Sequence, residues 1–249
     1  EKIGTIYDKT QRLRKLAAII SDQLNINKEK TEISASIAKS DLKSDLVGEY
    51  PELQGVMGKY FALAQGFEED VANAVSDHYL PTGLSSQVPK KPLSYAISII
   101  DKLDSLVGFF LINEKPTSSK DPFALRRAAI GLLRIVIENN LELKLKDLIS
   151  YAVRLYVEQG VSIENNKVEK EILDFLKERM RNILKEKKIK PDIIEAAISS
   201  HIGDNYLVLY KKSIVMNKNF NKNIGIDSIY SFKRVSSILD HERKKSTKE

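Results

Sequence analysis

The spacing of the apolar residues is the feature that most constrains how this chain can fold. In segment after segment the apolar residues recur every three or four positions, as Leu13, Leu16, Ile20 and Leu24 do. That spacing places them on one face of an α-helix, whereas a half-buried strand would alternate apolar and polar residues. Alternating segments are scarce in this sequence. The pattern therefore predicts an all-α fold.

The helix boundaries follow from the same periodicity and from the positions of capping residues. Pro92 and the pair Asp121-Pro122 favour helix starts, because proline at the first helical position loses no hydrogen bond and aspartate caps free N–H groups. We expect helices over residues 8–24, 28–47, 53–65, 68–79, 92–111, 121–138, 144–158, 168–187, 191–200, 204–216 and 226–240.

The composition excludes several classes of chemistry. The chain has 249 residues and no cysteine, which rules out disulfides, thiolate metal sites and cysteine nucleophiles. Its formal net charge of +6 is compatible with a polyanionic partner. No apolar run approaches the roughly 20 residues of a membrane helix, and neither an initiator Met nor a signal-peptide pattern stands at Glu1. We therefore expect no membrane association, a cytoplasmic location, and a chain that is part of a longer protein.

Three stretches, taken together in their order and spacing, carry a family resemblance. The first, residues 45–60, reads DLVGEYPELQGVMGKY, and the second combines DHYLP at 77–81 with DKLDSLVG at 101–108. The third, residues 115–129, reads KPTSSKDPFALRRAA. Together they resemble the beta subunit of the bacterial, alpha2beta2 type of glycyl-tRNA synthetase. The resemblance runs from Lys2 to Leu239 and is densest up to Ile135.

The resemblance implies that this chain binds rather than catalyses. The family subunit is longer at both ends, so the chain corresponds to an internal fragment. We expect an HD-like helical module over residues 1–140, then a helical linker and a partial helical anticodon-binding module over residues 141–249. The chain would contribute tRNA binding and scaffolding to ATP-dependent glycyl-tRNA formation, with no catalytic residue and no cofactor of its own. Its expected partners are the alpha subunit, which holds the family's glycine and ATP site, and glycine tRNA; ATP and Mg²⁺ are used by the whole heterotetramer.

The first module also resembles the HD superfamily of metal-dependent phosphohydrolases, but with an incomplete site. Lys39 and Ser40 stand where that superfamily has its His-Asp doublet. His78 stands near a later ligand position, Asp101 near the closing aspartate, and Asp104 one turn further on. A working site needs several imidazole and carboxylate ligands, and a lysine at the doublet would place a positive charge where the cation should sit. We therefore expect no metal and interpret these five positions as vestigial.

Two groups of basic residues are candidates for tRNA contact, because Lys and Arg are suited to phosphate oxygens. The first group lies on the helix expected at 121–138 and consists of Arg126, Arg127 and Arg134. The second is a cationic stripe on the helix expected at 168–187, and consists of Lys177, Arg181, Lys185 and Lys188.

Each group also has a plainer interpretation that the sequence leaves open. The arginines of the first group suit buried carboxylates such as Asp101 or Asp104 as well as they suit phosphates. The second group lies beside an apolar stripe, as the charges of an ordinary solvated helix face do. That apolar stripe consists of Ile172, Leu176, Met180 and Ile183.

Glycines within the expected helices indicate close packing. Gly55, Gly58 and Gly108 do not form a phosphate-binding loop, because no Lys-Ser or Lys-Thr pair follows them and no strand precedes them.

Two other functions stay open for the whole chain. One is an active HD-type nucleotide phosphohydrolase, which the shortage of histidines disfavours, and the other is a structural spacer without RNA contact.

Overall fold

The computed structural model of the chain describes residues 2–83, 85–117, 120–163, 167–200, 203–220, 230–232 and 234–239. Within these residues helices dominate and no strand occurs. The expected all-α fold is therefore confirmed for the described part of the chain. None of the helices in that part is long and apolar enough to cross a membrane.

Eleven α-helices follow one another in the described residues. They are α1 (Ile6–Leu24), α2 (Lys28–Ile37), α3 (Asp45–Glu49), α4 (Val56–Ala64), α5 (Glu69–Asp77), α6 (Pro92–Leu111), α7 (Leu125–Glu138), α8 (Leu145–Glu158), α9 (Val168–Glu186), α10 (Pro191–Ser199) and α11 (Tyr206–Asn219). Short 3-10 turns at Ser40–Lys43 and Pro51–Leu53 precede and follow α3. Of the helix expected over 226–240, residues 230–232 and 234–239 are helical, and the rest lies outside the described residues.

The chain divides into two compact units, Glu1–Ile183 with Ile202–Val208, and Leu184–His201 with Leu209–Glu249. In the first unit α8 packs on α1 and α6. It is therefore packed together with the helices that precede it in the sequence. In the second unit α10 buries Ile193, Ile194 and Ala197. The predicted modules, HD-like over residues 1–140 and linker with anticodon-binding module over 141–249, stay a prediction.

Helix α6 is the centre of the first unit. It packs against α1, α2, α5, α7 and α8, and 15 of its 20 residues are buried. Pro92 begins this helix, as predicted. Because a helix surrounded on all sides has little solvent-facing surface, its polar residues are carried into the interior. Lys102 and Asp104 are among the buried residues.

The prediction of a single helix over residues 28–47 is wrong, because this region forms three short elements instead. Helix α2 ends at Ile37, a 3-10 turn follows, and α3 begins at Asp45. The Ser44 hydroxyl caps α3 by accepting a hydrogen bond from the Val47 N–H at 3.2 Å. At this break, charged residues point into the interior of the protein. The spacing of apolar residues along the sequence does not predict that orientation.

The helix expected to start at Asp121-Pro122 begins later, at Leu125. Asp121 still caps it, since its carboxylate oxygens accept hydrogen bonds from the N–H groups of Leu125 at 2.8 Å and Arg126 at 3.0 Å. Ala124 has a left-handed backbone with φ 54°, which keeps the residues between the cap and Leu125 out of the helix. The other expected helices that lie in the described residues begin and end within three residues of their predicted bounds.

Candidate functional site

Charged residues and one histidine, from four segments, meet inside the first unit. They come from α1, from the break after α2, from the C-terminal end of α5, and from the middle of α6. We call this set the charged cluster; it consists of Lys9, Arg12, Lys39, His78, Asp101, Lys102 and Asp104. All of the positions expected to be vestigial belong to it except Ser40, which is exposed and donates to the Ile37 carbonyl oxygen at 2.8 Å.

The ammonium group of Lys39 lies between an imidazole and a carboxylate. Its Nζ is 2.7 Å from His78 Nε2 and 3.1 Å from Asp101 Oδ2. The same nitrogen lies 4.2 Å from the centroid of the Tyr79 ring, a cation–π distance. Lys39 is only 8% exposed. A buried cation is stable only when it is paired and hydrogen-bonded, and these neighbours meet that requirement.

The hydrogen bonds of His78 determine which of its nitrogens carries the hydrogen. Nδ1 lies 2.6 Å from the Val75 carbonyl oxygen. A carbonyl can only accept, so Nδ1 carries the hydrogen and donates it. Nε2 is then left with a lone pair, which accepts a hydrogen bond from Lys39. The neutral tautomer is therefore fixed by the fold.

Burial and neighbouring charges set the protonation of this half of the cluster. Burial, with the Lys39 charge, holds the pKa of His78 well below its usual range, so the imidazole is neutral at pH 7. Burial alone would raise the pKa of Asp101, but the charges of Lys39 and Lys9 outweigh it and hold that pKa well below its usual range. Burial lowers the pKa of Lys39, and the Asp101 charge opposes that shift. Asp101 is thus the anion on which the buried ammonium groups depend.

The other half of the cluster is a buried salt bridge between Arg12 and Asp104. Arg12 Nε lies 2.7 Å from Asp104 Oδ1, and Arg12 Nη2 lies 3.0 Å from Oδ2, a two-pronged contact. The Tyr156 hydroxyl accepts from Arg12 Nη2 at 3.0 Å and lies 3.0 Å from the Asp104 carbonyl oxygen, to which it donates. The Lys9 ammonium joins the halves, 3.0 Å from Asp101 Oδ1 and 3.5 Å from Asp104 Oδ2.

Lys102 connects α6 to the chain that follows α5. Its Nζ donates to the carbonyl oxygens of His78 at 3.2 Å and Leu80 at 2.8 Å, and to the Ser98 hydroxyl at 2.8 Å. Burial lowers the pKa of Lys102 to about 8, and the Asp101 charge opposes that shift. The lysine therefore ties the backbone around His78 to the central helix.

Asp41 is a buried carboxylate that sequence reasoning missed. It is fully buried, and its Oδ2 accepts a hydrogen bond from the Gly55 N–H at 2.6 Å. Its Oδ1 is buried and has no hydrogen-bond partner among the described residues. The sequence placed Asp41 within a continuous helix, where nothing distinguished it from an exposed charge. Its only signal was its position two residues after Lys39.

Two helix glycines permit close packing around the cluster. A Cβ at Gly108 would lie 2.7 Å from Tyr156 Cζ and closer still to the hydroxyl oxygen. A Cβ at Gly58 would lie 2.7 Å from Val75 Cγ1. Both distances are too short for real contacts, so the interpretation of these two positions as packing glycines is confirmed.

The residues present do not fit a bound metal of the HD type. The Nε2 lone pair of His78 is taken by Lys39, and Asp101 is shared between two ammonium groups. Within the described ranges, no group of three His, Asp, Glu or Cys side chains is placed to hold a metal ion. His201 and His241 lie outside those ranges.

Two arginines of the first candidate group for tRNA contact hold loops of the protein itself. Arg134 donates from Nη1 to the Gly83 carbonyl oxygen at 3.2 Å and from Nη2 to the Ser86 carbonyl oxygen at 2.9 Å. Arg126 donates to the Thr117 carbonyl oxygen. These guanidinium groups therefore fasten the loops that precede and follow α6.

Arg127 differs from its two neighbours in the group. It is exposed and makes no hydrogen bond or ion pair with any described residue. The carboxylates considered as internal partners, Asp101 and Asp104, are instead paired with lysines and with Arg12. The alternative interpretation, in which the arginines of α7 pair with those carboxylates, is therefore wrong. Arg127 faces solvent.

The cationic stripe begins with two residues that are paired along α9. Lys177 lies 4.0 Å from Asp174, and Arg181 pairs with Glu178, each one helical turn earlier. The neighbouring apolar stripe is buried as expected, which confirms the orientation of the helix. It consists of Ile172, Leu176, Met180 and Ile183.

The stripe ends with two residues that no described partner neutralises. Lys185 and Lys188 are exposed and form no side-chain hydrogen bond or ion pair with the described residues. Helix α9 ends at Glu186, so the placement of Lys188 on the same helix face is wrong. Lys188 takes the left-handed position of a helix C-terminus with φ 58°, and the Ile189 N–H returns to the Leu184 carbonyl oxygen at 3.2 Å. Burial of Ile189 explains why the chain turns there.

Comparisons with known proteins agree with the resemblance found in the sequence. The model of the family described as Glycyl-tRNA synthetase beta subunit matches residues 1–199. The glycine–tRNA ligase beta subunit of Clostridioides difficile is 39% identical over 239 residues, which cover 95% of this chain and 34% of that protein. Those of Cereibacter sphaeroides and Rhodospirillum centenum are each 37% identical, over 96% and 98% of this chain and 34% of either relative.

Among aminoacyl-tRNA synthetase subunits, the chain belongs to the glycyl-tRNA synthetase beta subunit family. It spans about a third of the length of the curated relatives it matches.

Proposed function

We propose that this chain binds tRNA and acts as a scaffold within the beta subunit of a cytoplasmic glycine–tRNA ligase. The beta-subunit name of its relatives implies an alpha subunit as partner. In this proposal the alpha subunit holds glycine and ATP, and the complex joins glycine to its tRNA with ATP and Mg²⁺. The observation that carries the proposal is the family match over residues 1–199.

The charged cluster supports the scaffold part of the proposal. Lys39 is 8% exposed, His78 and Asp104 are fully buried, and the side chains of Lys9 and Asp101 are 15% and 13% exposed, so the cluster offers a nucleotide little polar surface. Its polar side chains are also bonded to one another or to backbone oxygens, which joins α1, α5 and α6. A phosphohydrolase needs groups that reach its substrate, and the HD-type alternative therefore finds no support in this arrangement.

The exposed cations without partners support the tRNA-binding part. Arg127, Lys185 and Lys188 can each meet a phosphate without first breaking an ion pair within the described structure. Lys177 and Arg181 would have to leave Asp174 and Glu178 to do so. Since phosphate contacts by Lys and Arg supply most of the sequence-independent affinity for nucleic acids, the first three are the stronger candidates.

Replacing the two unpaired lysines tests this proposal. In the intact alpha–beta complex, Lys185→Gln with Lys188→Gln should weaken tRNA binding. The slope of log affinity against log salt should fall by roughly two units, because each cation on a phosphate displaces about one counterion. Binding of glycine tRNA is measured by fluorescence anisotropy over a series of KCl concentrations. Glycyl-adenylate formation, measured in the same preparation, should be unchanged.

The matched control removes the same charge from the paired half of the stripe. Lys177→Gln with Arg181→Gln should change the slope much less, because those cations are already neutralised by carboxylates one turn away. An equal change in both double variants would mean that only total charge matters. An unchanged slope with Lys185→Gln and Lys188→Gln, and also with Arg127→Gln, would favour the structural spacer.

A second consequence concerns catalysis. The purified chain alone should not form glycyl-tRNA from glycine, ATP and tRNA, because in this proposal amino-acid activation belongs to the alpha subunit. The measurement is acid-precipitable radioactive glycine, with the intact complex as the positive control. Charging by the isolated chain would overturn the proposed division of labour.

A further inference from the structure

The ring of Phe123 is an aromatic surface that stays exposed although the protein holds it in place. Phe123 is 44% exposed and lies in the turn before α7. Its ring stacks on that of Phe109, with the centroids 3.9 Å apart and the planes 18° apart. Phe109 belongs to α6, of which 15 of 20 residues are buried, so the ring rests on a firm support. Because Phe109 covers one face, the part of the ring that meets solvent is its edge and its opposite face.

The backbone on both sides of Phe123 is fixed as well. The Ala124 N–H donates to the Asp121 carbonyl oxygen at 3.1 Å and closes a turn. The Asp121 carboxylate accepts hydrogen bonds from the N–H groups of Leu125 at 2.8 Å and Arg126 at 3.0 Å, which ties the turn to α7. A ring that is already held in this way loses little conformational entropy when a flat ligand stacks on it.

Two exposed cations flank the ring in the sequence, Lys120 three positions before it and Arg127 four positions after it. Neither side chain forms a hydrogen bond or an ion pair with the described residues. The carboxylate that lies between them in the sequence, Asp121, is occupied by the backbone of α7. The ends of such a turn lie within about 7 Å of each other, so both long side chains can reach the edge of the ring.

The combination of a supported ring and unpaired cations suits an unpaired nucleotide. A base stacks on the face of an aromatic side chain, and the phosphates next to it accept hydrogen bonds from Lys and Arg. RNA offers such bases in its loops and at its single-stranded ends. An apolar protein surface would cover the ring but would leave the two cations without a counter-charge. Charge complementarity therefore favours RNA as the occupant.

We propose that Phe123 is a stacking platform for an unpaired base of the bound tRNA, and that Lys120 and Arg127 bind the phosphates beside that base. The inference rests on the proposed tRNA-binding function and deepens it, because it names the kind of nucleotide that this surface accepts. A base inside a duplex has both faces covered by its neighbours, so the contact is made with a loop or a single-stranded end of the tRNA.

The experiment compares two kinds of substitution in the intact alpha–beta complex. Phe123→Leu keeps an apolar side chain against Phe109 but removes the aromatic face. It should weaken binding of glycine tRNA by about tenfold, the loss of one stacked base. The slope of log affinity against log salt should stay the same, because no charge is removed. Lys120→Gln with Arg127→Gln should instead lower that slope by roughly two units. Binding is measured by fluorescence anisotropy over a series of KCl concentrations.

The controls separate stacking from a general loss of structure. Phe123→Trp offers a larger aromatic face and should bind tRNA at least as tightly as the wild type. Tyr60→Leu removes another exposed aromatic ring, one that is 60% exposed on α4, and should leave the affinity unchanged. A fully base-paired RNA duplex should bind equally to the wild type and to Phe123→Leu. If Phe123→Leu does not fold, the Phe123→Trp variant and the double cation variant decide by the same criteria.

The outcomes also distinguish this inference from the proposed function. Unchanged tRNA affinity in Phe123→Leu overturns the platform, and the proposed function stands if Lys185→Gln with Lys188→Gln still weakens tRNA binding. Both fall if none of these variants changes tRNA binding. Loss of the alpha subunit from the Phe123→Leu complex, with tRNA affinity retained, would show that the ring meets a protein surface and would overturn the proposal.

Discussion

Asp104→Ala should lower the free energy of unfolding by about 3–5 kcal/mol, because it leaves the buried guanidinium of Arg12 without its counter-charge. Arg12 is only 2% exposed, and its guanidinium group donates hydrogen bonds to both carboxylate oxygens of Asp104. The Tyr156 hydroxyl, which also bonds to Arg12, cannot replace the lost negative charge. The measurement is urea unfolding followed by circular dichroism.

An exposed ion pair that also starts from α1, but reaches α8 instead of α6, serves as the control. Lys15 lies 2.9 Å from Glu158, and both side chains are about half exposed. Glu158→Ala removes the same charge and should cost at most about 1 kcal/mol, because water screens the pair. Equal costs for the two substitutions would show that Arg12 does not depend on Asp104. Arg12→Met with Asp104→Leu should recover part of the loss, since it removes both charges together.

Gly108→Ala should cost about 3 kcal/mol or more, because the added methyl group would overlap the Tyr156 ring and displace its hydroxyl from Asp104. Overpacking and the loss of a buried hydrogen bond then act together. The change in melting temperature and the midpoint of urea unfolding both report it. Combining Gly108→Ala with Tyr156→Leu should cost less than the sum of the two single substitutions, because the ring that creates the overlap is gone.

Gly48→Ala is the control with the opposite sign. Gly48 lies in α3, and a Cβ there would meet nothing within 4 Å. Alanine is the better helix former, so this substitution should stabilise the protein by up to about 1 kcal/mol. Two glycines within helices would then respond in opposite directions to the same change. A destabilising Gly48→Ala, or a neutral Gly108→Ala, would contradict the packing argument.

The sequence predicted the helices well where a start signal precedes a run of apolar residues. The bounds of α6 were predicted correctly because Pro92 begins it and a run of apolar residues fills it. The region 28–47 was predicted wrongly because the residues that break it are charged and point inward. Lys39 and Asp41 are buried by contacts with α5, α6 and Gly55, which are distant in sequence. A local pattern contains no information about such partners.

The charged cluster was predicted in part for the same reason. Resemblance to a superfamily with a known site was enough to group Lys39, His78 and Asp101 from the sequence alone. Arg12 and Tyr156 were missed because they meet Asp104 across 92 and 52 positions of chain. One signal for Arg12 was present, since it shares a helix face with Leu16 and Ile20, which are buried. A charge on an apolar face indicates a buried partner somewhere else in the fold.

The Lys39 ammonium has a consequence for how this subunit is made in the cell. A metal ion has to be acquired after synthesis, and sites of nitrogen and oxygen ligands accept competing ions in an order set by ligand chemistry rather than by need. A lysine is encoded in the gene and is therefore present once in every copy. Lys39 joins the end of α5 to α6 through His78 and Asp101, all of them side chains of the same chain. This link therefore forms as the chain folds.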